Sequence, residues 1–219
     1  MPKNCSVLIP RNNQMNFSYN CRLSMKTCPR LAIFASGSGS NAQRLAEYFA
    51  GSGIAEVSVI YCNNPNALVL ERARLLGIPA VLIKKETFYK DTAVLDDLKS
   101  REIDWIILAG FLWLVPDYIL KAFTRRVINI HPALLPSYGG KGMYGMKVHE
   151  AVIASGDKQS GITIHHVNEH YDEGDIIFQA TCQVLPDDKA DMLAAKIHEL
   201  EYQHFPAVIA KLVAGKVNS

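Results

Sequence analysis

Between Arg30 and Ile130 five short, nearly continuous apolar runs alternate with longer amphipathic ones, and no other feature restricts the fold so strongly. The runs are "RLAIFAS" (30–36), "AEVSVIYCN" (55–63), "IPAVLI" (78–83), "DWIILAG" (104–110) and "RRVINI" (125–130). Strands that are apolar on both faces must be covered on both faces, which is the condition of a parallel sheet with helices above and below. The segments between them, 67–77, 91–102 and a short one around 116–123, read as those helices, the first closed by Gly77. Beyond a short helix at 147–155 the pattern changes. "SGITIHHVNE" and "GDIIFQATCQVL" are strands joined by a short polar loop, hence an antiparallel hairpin, and 188–215 is a long closing helix with a bend expected at Pro206. The expected fold is α/β, a doubly wound, mostly parallel, Rossmann-like sheet of about seven strands with an antiparallel C-terminal hairpin.

With 49% hydrophobic residues in 219, the chain can fill one core, and a single domain over 30–215 is expected. Residues 1–29, rich in Asn, Pro and Arg without a strand or helix period, are expected to be a disordered tail, with Met25 as an alternative start. They lack the apolar core of a secretory signal, and no run approaches the roughly 20 apolar residues that cross a bilayer. The five cysteines are odd in number, scattered and never in a CxxC pair, which disfavours a disulfide framework or a zinc site and points to a reducing, cytoplasmic setting. A net charge of only +2 gives no support for a nucleic-acid partner or a membrane surface.

Two stretches carry candidate chemistry. "FASGSGSN" (34–41) sets glycines and serines between a strand and a helix, where backbone N–H groups and the helix dipole can converge on an anion. The spacing is neither GxGxxG nor a P-loop, so a monophosphate fits better than a pyrophosphate. A plain tight turn is the alternative, and Asn41 is either a helix N-cap or a ligand. In "INIHPALLPSYGGKG" (128–142), Asn129 and His131 are two apart on a strand and share a face at its carboxyl end, on the same sheet edge as the glycine loop. Pro132 biases His131 towards extended backbone, and a glycine-rich, flexible loop follows. Downstream, Thr163 and His165 share one strand face, His166 takes the other, and Asp172 lies in the acidic loop "NEHYDEGD". Spacing alone leaves His131 either structural or catalytic and Asp172 either a turn residue or a functional one. Adjacent His165 and His166 point to opposite faces and cannot comfortably ligate one ion, so no metal is expected.

Together, "SGSGSN" (36–41), "LAGFLWLV" (108–115), "NIHPALLPSYGG" (129–140), "GITIHHV" (161–167) and "DEGDIIFQA" (172–180) resemble the phosphoribosylglycinamide formyltransferases, folate-dependent enzymes of purine synthesis. The resemblance implies transfer of the formyl group of 10-formyltetrahydrofolate to the amine of glycinamide ribonucleotide, without a metal, by a monomer or homodimer. It makes Asn129, His131 and Asp172 the catalytic trio, with Asn129 and a protonated His131 stabilising charge on the formyl oxygen and Asp172 relaying the amine's proton. Asp172 beside His131 would favour the charged imidazole. The resemblance further implies that Gly39, Ser40, Asn41, His198 and Glu201 bind the ribonucleotide and that Leu112, Trp113, Val115, Asn168 and Tyr171 line the folate slot. Thr163 and His165 then support the trio. Trp113 stands where many relatives carry Arg, Ser137 where Lys is familiar, and 139–150 is longer than the common version. The nearest other readings are a methionyl-tRNA formyltransferase or a sugar-amine formyltransferase with the same trio; for the former, this chain lacks the basic excess a tRNA partner calls for.

Overall fold

A computed structural model describes residues 28–215. The expected tail therefore lies outside the described residues except for Cys28 and Pro29. Seven strands, β1 (Arg30–Ala35), β2 (Glu56–Cys62), β3 (Ala80–Leu82), β4 (Trp105–Leu108), β5 (Val127–His131), β6 (Gln159–His166) and β7 (Ile176–Gln183), form one sheet in the order β3-β2-β1-β4-β5-β6-β7. The first five are mutually parallel; β6 runs antiparallel to β5, and β7 to β6. The order reverses between β1 and β4, so the loops that follow these two strands diverge and leave a crevice at the carboxyl edge.

Alternation along β1 divides the core in two. Leu31, Ile33 and Ala35 join a cluster with α1 (Ser40–Phe49), α2 (Leu68–Leu75) and α7 (Ala190–Val213). Ala32 and Phe34 join a second cluster on the other face, with α4 (Ala93–Ser100) and α5 (Asp117–Ala122). The central strands β1, β2, β4, β5 and β6 bury both faces, whereas the edge strands β3 and β7 remain partly exposed. The sequence reading passes over α3 (Lys85–Lys90): six residues give no measurable helical period, and the segment is fixed by Phe88, fully buried under Phe34 and Phe111. The remaining helix, α6 (Met146–Ser155), precedes β6. Through Pro206, α7 continues as one helix. Lacking an N–H, Pro206 leaves the carbonyl four residues earlier without its helical donor, and Arg44 Nε, at 3.5 Å from Tyr202 O, stands in.

Candidate active site

Asn129 and His131 close β5 on its crevice side, and register sets His165 opposite Asn129 and Thr163 opposite His131. His165 Nδ1 lies 2.8 Å from the carbonyl oxygen of His166 and must donate to it, so Nε2 carries the lone pair. That lone pair accepts from Asn129 Nδ2 at 3.0 Å, which fixes the amide's orientation, and the second amide hydrogen reaches Asp172 Oδ1 at 3.3 Å. Asn129 thus sits between two acceptors, and His165 and Asp172 orient it.

Asp172 arrives from the 167–174 loop with φ 58°, a left-handed conformation that Asp tolerates better than most side chains. Gly174 closes this loop because a Cβ there would lie 1.7 Å from His166 O; close backbone approach, not positive φ, demands the glycine. Oδ2 of Asp172 accepts the Gly140 N–H at 3.0 Å and faces His131 Nδ1 at 3.5 Å. Gly139 permits that approach, since its Cβ would meet Leu135 Cδ2 at 2.6 Å and Asp172 Cβ at 3.3 Å. The glycine run expected to be a flexible loop is therefore pinned to the carboxylate at this point. Burial pushes the Asp172 carboxyl up, but His165, His131 and the Gly140 amide together outweigh it and hold its pKa below the usual carboxylate value.

His131 is 3% exposed, and its Nε2 donates to Tyr138 O at 2.8 Å. Burial lowers its pKa below the ordinary imidazole value; Asp172 and the Tyr138 carbonyl pull upward without overcoming it. Asp172 favours the charged imidazole, as expected, but desolvation is the larger effect and the net shift is downward. Nε2–H points at the Tyr138 carbonyl, and Nδ1 faces the Asp172 carboxylate. Thr163, fully buried, donates to Ala133 O at 2.7 Å and accepts from Leu135 N and Gln179 Nε2, both at 2.9 Å. Its hydroxyl ties the segment after His131 to β6.

The glycine loop lies on the same edge. Gly39, φ 74°, is the N-cap of α1, which makes Ser40 and Asn41 its first two helical residues. Asn41 is thus not the cap; its Nδ2 donates to Glu201 Oε2 at 3.0 Å, and its buried Oδ1 has no hydrogen-bond partner. The same Glu201 oxygen lies 2.8 Å from His198 Nδ1, and this contact raises the His198 pKa against the opposing effect of burial. Glu201 is 5% exposed, a buried carboxylate held by an amide and a half-exposed imidazole.

The folate candidates are more dispersed. Leu112 is exposed, but its N–H is taken by Ser36 Oγ at 2.9 Å. Val115 is buried. Trp113 packs against Phe88, Tyr89 and Phe111. Asn168 Oδ1 accepts the His170 N–H, and Tyr171 is half-buried beside the phenol of Tyr89. A cavity of about 460 Å³ between α5 and residues 166–175 takes in Asn168 but none of Leu112, Trp113 and Val115. Sequence reading missed Tyr138, Gly139 and Gly140, whose contacts with His131 and Asp172 no local spacing announces. It also missed His149, 3% exposed, with an unpartnered Nδ1 and within electrostatic reach of His131, His198 and Glu201. Among the described residues no group of three or more His, Cys, Asp or Glu is arranged to hold a metal ion.

Residues 29–209 match the family model described as formyl transferase. The chain is 42% identical to the chloroplastic phosphoribosylglycinamide formyltransferase of Vigna unguiculata over 86% of its own length, and spans only 62% of that relative. It is 32% identical to the phosphoribosylglycinamide formyltransferase of Bacillus subtilis, over 84% of its own length and 94% of the relative's. The crystal structure of the phosphoribosylglycinamide formyltransferase from Streptococcus pneumoniae TIGR4 superposes with a TM-score of 0.74 at 35% identity, covering 84% of this chain and 98% of that one. This chain belongs to the formyl transferase family and, within it, groups with the phosphoribosylglycinamide formyltransferases.

Proposed function

We propose that this chain transfers the formyl group of 10-formyltetrahydrofolate to the primary amine of glycinamide ribonucleotide, giving the formylated amide and tetrahydrofolate. The observation that carries the reading is the meeting of Asn129, His131 and Asp172 at the carboxyl edge of the sheet, the edge at which the loop after β1 leads into α1. The phosphate rests on the first turn of α1 at Gly39, Ser40 and Asn41, with His198 beside it and Glu201 facing the ribose hydroxyls. Folate lies along 112–115 and 168–171, with Trp113 offering an aromatic face.

As the amine adds to the formyl carbon, negative charge grows on the formyl oxygen. Asn129 donates to that oxygen by giving up its longer contact, the 3.3 Å bond to Asp172. The proton that the attacking nitrogen loses is taken up by the Asp172–His131 pair, offsetting in the transition state the penalty that burial imposes on a charged imidazole. An imidazolium there has both ring nitrogens facing acceptors, Tyr138 O and Asp172. The proton lost by the attacking nitrogen passes through the Asp172–His131 pair to N10 as the C–N10 bond breaks, so the enzyme ends as it began. No covalent enzyme intermediate is invoked. The scattered cysteines favour a reducing compartment, the cytoplasm by our reading, although relatives from Vigna unguiculata and Arabidopsis thaliana are named chloroplastic.

The test mixes the purified chain with glycinamide ribonucleotide and 10-formyl-5,8-dideazafolate and follows the folate absorbance. Turnover that depends on the ribonucleotide is expected; formyl loss at the same rate without it would refute the assignment.

A further inference from the structure

An anion loop works only if its carbonyl oxygens point elsewhere, and between Ser36 and Gly39 four consecutive carbonyls are all committed. Ser36 O accepts from Asn64 Nδ2 at 3.4 Å, Gly37 O from Val69 N at 3.2 Å, Ser38 O from Arg72 Nε at 2.8 Å and Gly39 O from Gln43 N at 2.9 Å. The last bond is the first of α1, so the N–H groups of Ser40, Asn41 and Ala42 precede the helix's own ladder. No side chain caps them, and no acidic residue occupies the first turn.

Two of the four anchors come from α2. Val69 is fully buried and contributes its backbone N–H, while its side chain fills the space beside Gly39, where any Cβ would lie 2.4 Å from Val69 Cγ2. Arg72, one turn on, spans two acceptors: its Nε holds Ser38 O, and its Nη1 holds Gln43 Oε1 on α1. Its guanidinium is the only charged group among the four anchors, and it crosses from the loop to the helix whose N-terminus the loop presents.

We propose that Arg72 is a positioning residue of the phosphate loop, turning the Ser38 carbonyl away from the bound anion and fixing the loop against α1. The inference rests on the reading of 36–41 as a phosphate site and adds the element that shapes it. Arg72 acts through Ser38 and Gln43, without contact with the reacting atoms, so its loss falls on ribonucleotide binding and spares the formyl transfer step. A guanidinium so close to the loop also favours a dianionic phosphate over a neutral ligand.

The experiment measures three quantities on parent, Arg72→Ala and Arg72→Lys: the Kd for inorganic phosphate by calorimetry, KM for each substrate, and kcat. Arg72→Ala is expected to weaken phosphate about tenfold or more and to raise the ribonucleotide KM in parallel, the loss expected of one charged hydrogen bond. Its kcat and folate KM stay within about twofold. Arg72→Lys recovers part of the affinity, because an ammonium reaches Ser38 O but cannot span both acceptors. If Arg72→Ala unfolds, Gln43→Ala supplies the second reading, expected to weaken phosphate severalfold with the Ser38 bond intact. Phosphate affinity within twofold of the parent in a folded Arg72→Ala, or a fall in kcat with both KM values unchanged, would overturn the proposal. Phosphate binding is read without turnover, so failure of formyl transfer itself is distinguishable from failure of the loop assignment.

Discussion

Replacing Thr163 by Val is a nearly isosteric change that removes only a hydroxyl, and the structure says how much that hydroxyl holds. Its oxygen accepts from Leu135 N and Gln179 Nε2 and donates to Ala133 O, in a site with no solvent exposure. Gln179 Nε2 keeps a second acceptor, Leu135 O at 3.1 Å, so its loss is small. Leu135 N–H and Ala133 O lose the partner recorded for them. At about 1–3 kcal/mol for each of the two buried groups stranded, Thr163→Val should cost roughly 2–6 kcal/mol. For a domain of this size that is a fall in Tm of roughly 4–24 °C. The stranded groups belong to the segment between His131 and Gly140, which carries the acceptor for His131 and the donor for Asp172. Activity should therefore fall too, by about tenfold or more if these partners move by a fraction of an ångström. Thr163→Ser is the control: it keeps the hydroxyl, loses one buried methyl, and should cost about 1 kcal/mol with kcat nearly preserved. Urea unfolding of all three proteins, with kcat measured alongside, decides the matter. If Thr163→Val lies within about 0.5 kcal/mol of the parent, or Thr163→Ser is as damaging as Thr163→Val, the hydroxyl does not hold the segment and the argument fails.

Asp172→Asn keeps the shape of the carboxylate and removes its charge. It should lower kcat by about 10²–10⁴-fold at pH 7, and steady-state rates near those of the parent would remove Asp172 from the proton path. The buried histidines set a sign for stability against pH. His131, His149 and His166 all have pKa values lowered by burial, so the unfolded chain binds more protons as pH falls below about 6.5. Their contribution is complete above that pH and is lost as pH falls towards the lowered values. His198, with its raised pKa, acts oppositely: its contribution is present below about 6.5 and is lost as pH rises through the raised value. Urea midpoints should therefore fall between pH 7.5 and 5.5, less steeply in His131→Asn; a midpoint that rises over that range contradicts the burial argument. In Glu201→Gln the largest cause of the His198 shift is gone, and its imidazole, followed by NMR, should titrate at lower pH than in the parent. An unmoved titration would mean that Glu201 does not hold that ring.

The sheet was legible because its signal is local. An apolar run such as "LAIFA" states both that it is a strand and that both its faces are covered, and Leu31 and Ala32 do join opposite clusters. The pairing of Asn129 with His131 was legible for the same reason, since two residues apart on a strand is a statement about one face. What failed was whatever depends on contacts distant in sequence. In "KKETFYK", Phe88 turns a weak helical segment into α3 only because Phe34 and Phe111 form its socket. The net shift on His131 was not legible because one neighbour, Asp172, could be named from the sequence, whereas the burial that outweighs it is a property of the whole fold. The glycines of 139–140 were read as freedom and are a constraint: Gly139 makes room for the Asp172 side chain, and Gly140 donates to it across 32 residues. In the loop at 36–41 the glycine pattern marked a place where an anion could bind, but the carbonyls are held by Asn64, Val69, Arg72 and Gln43. Three of these four lie outside the motif's own strand and helix, so the chemistry that makes the loop selective for an anion is written mostly in α2 and the turn before it. A substitution there that leaves every glycine in place should still cost phosphate affinity.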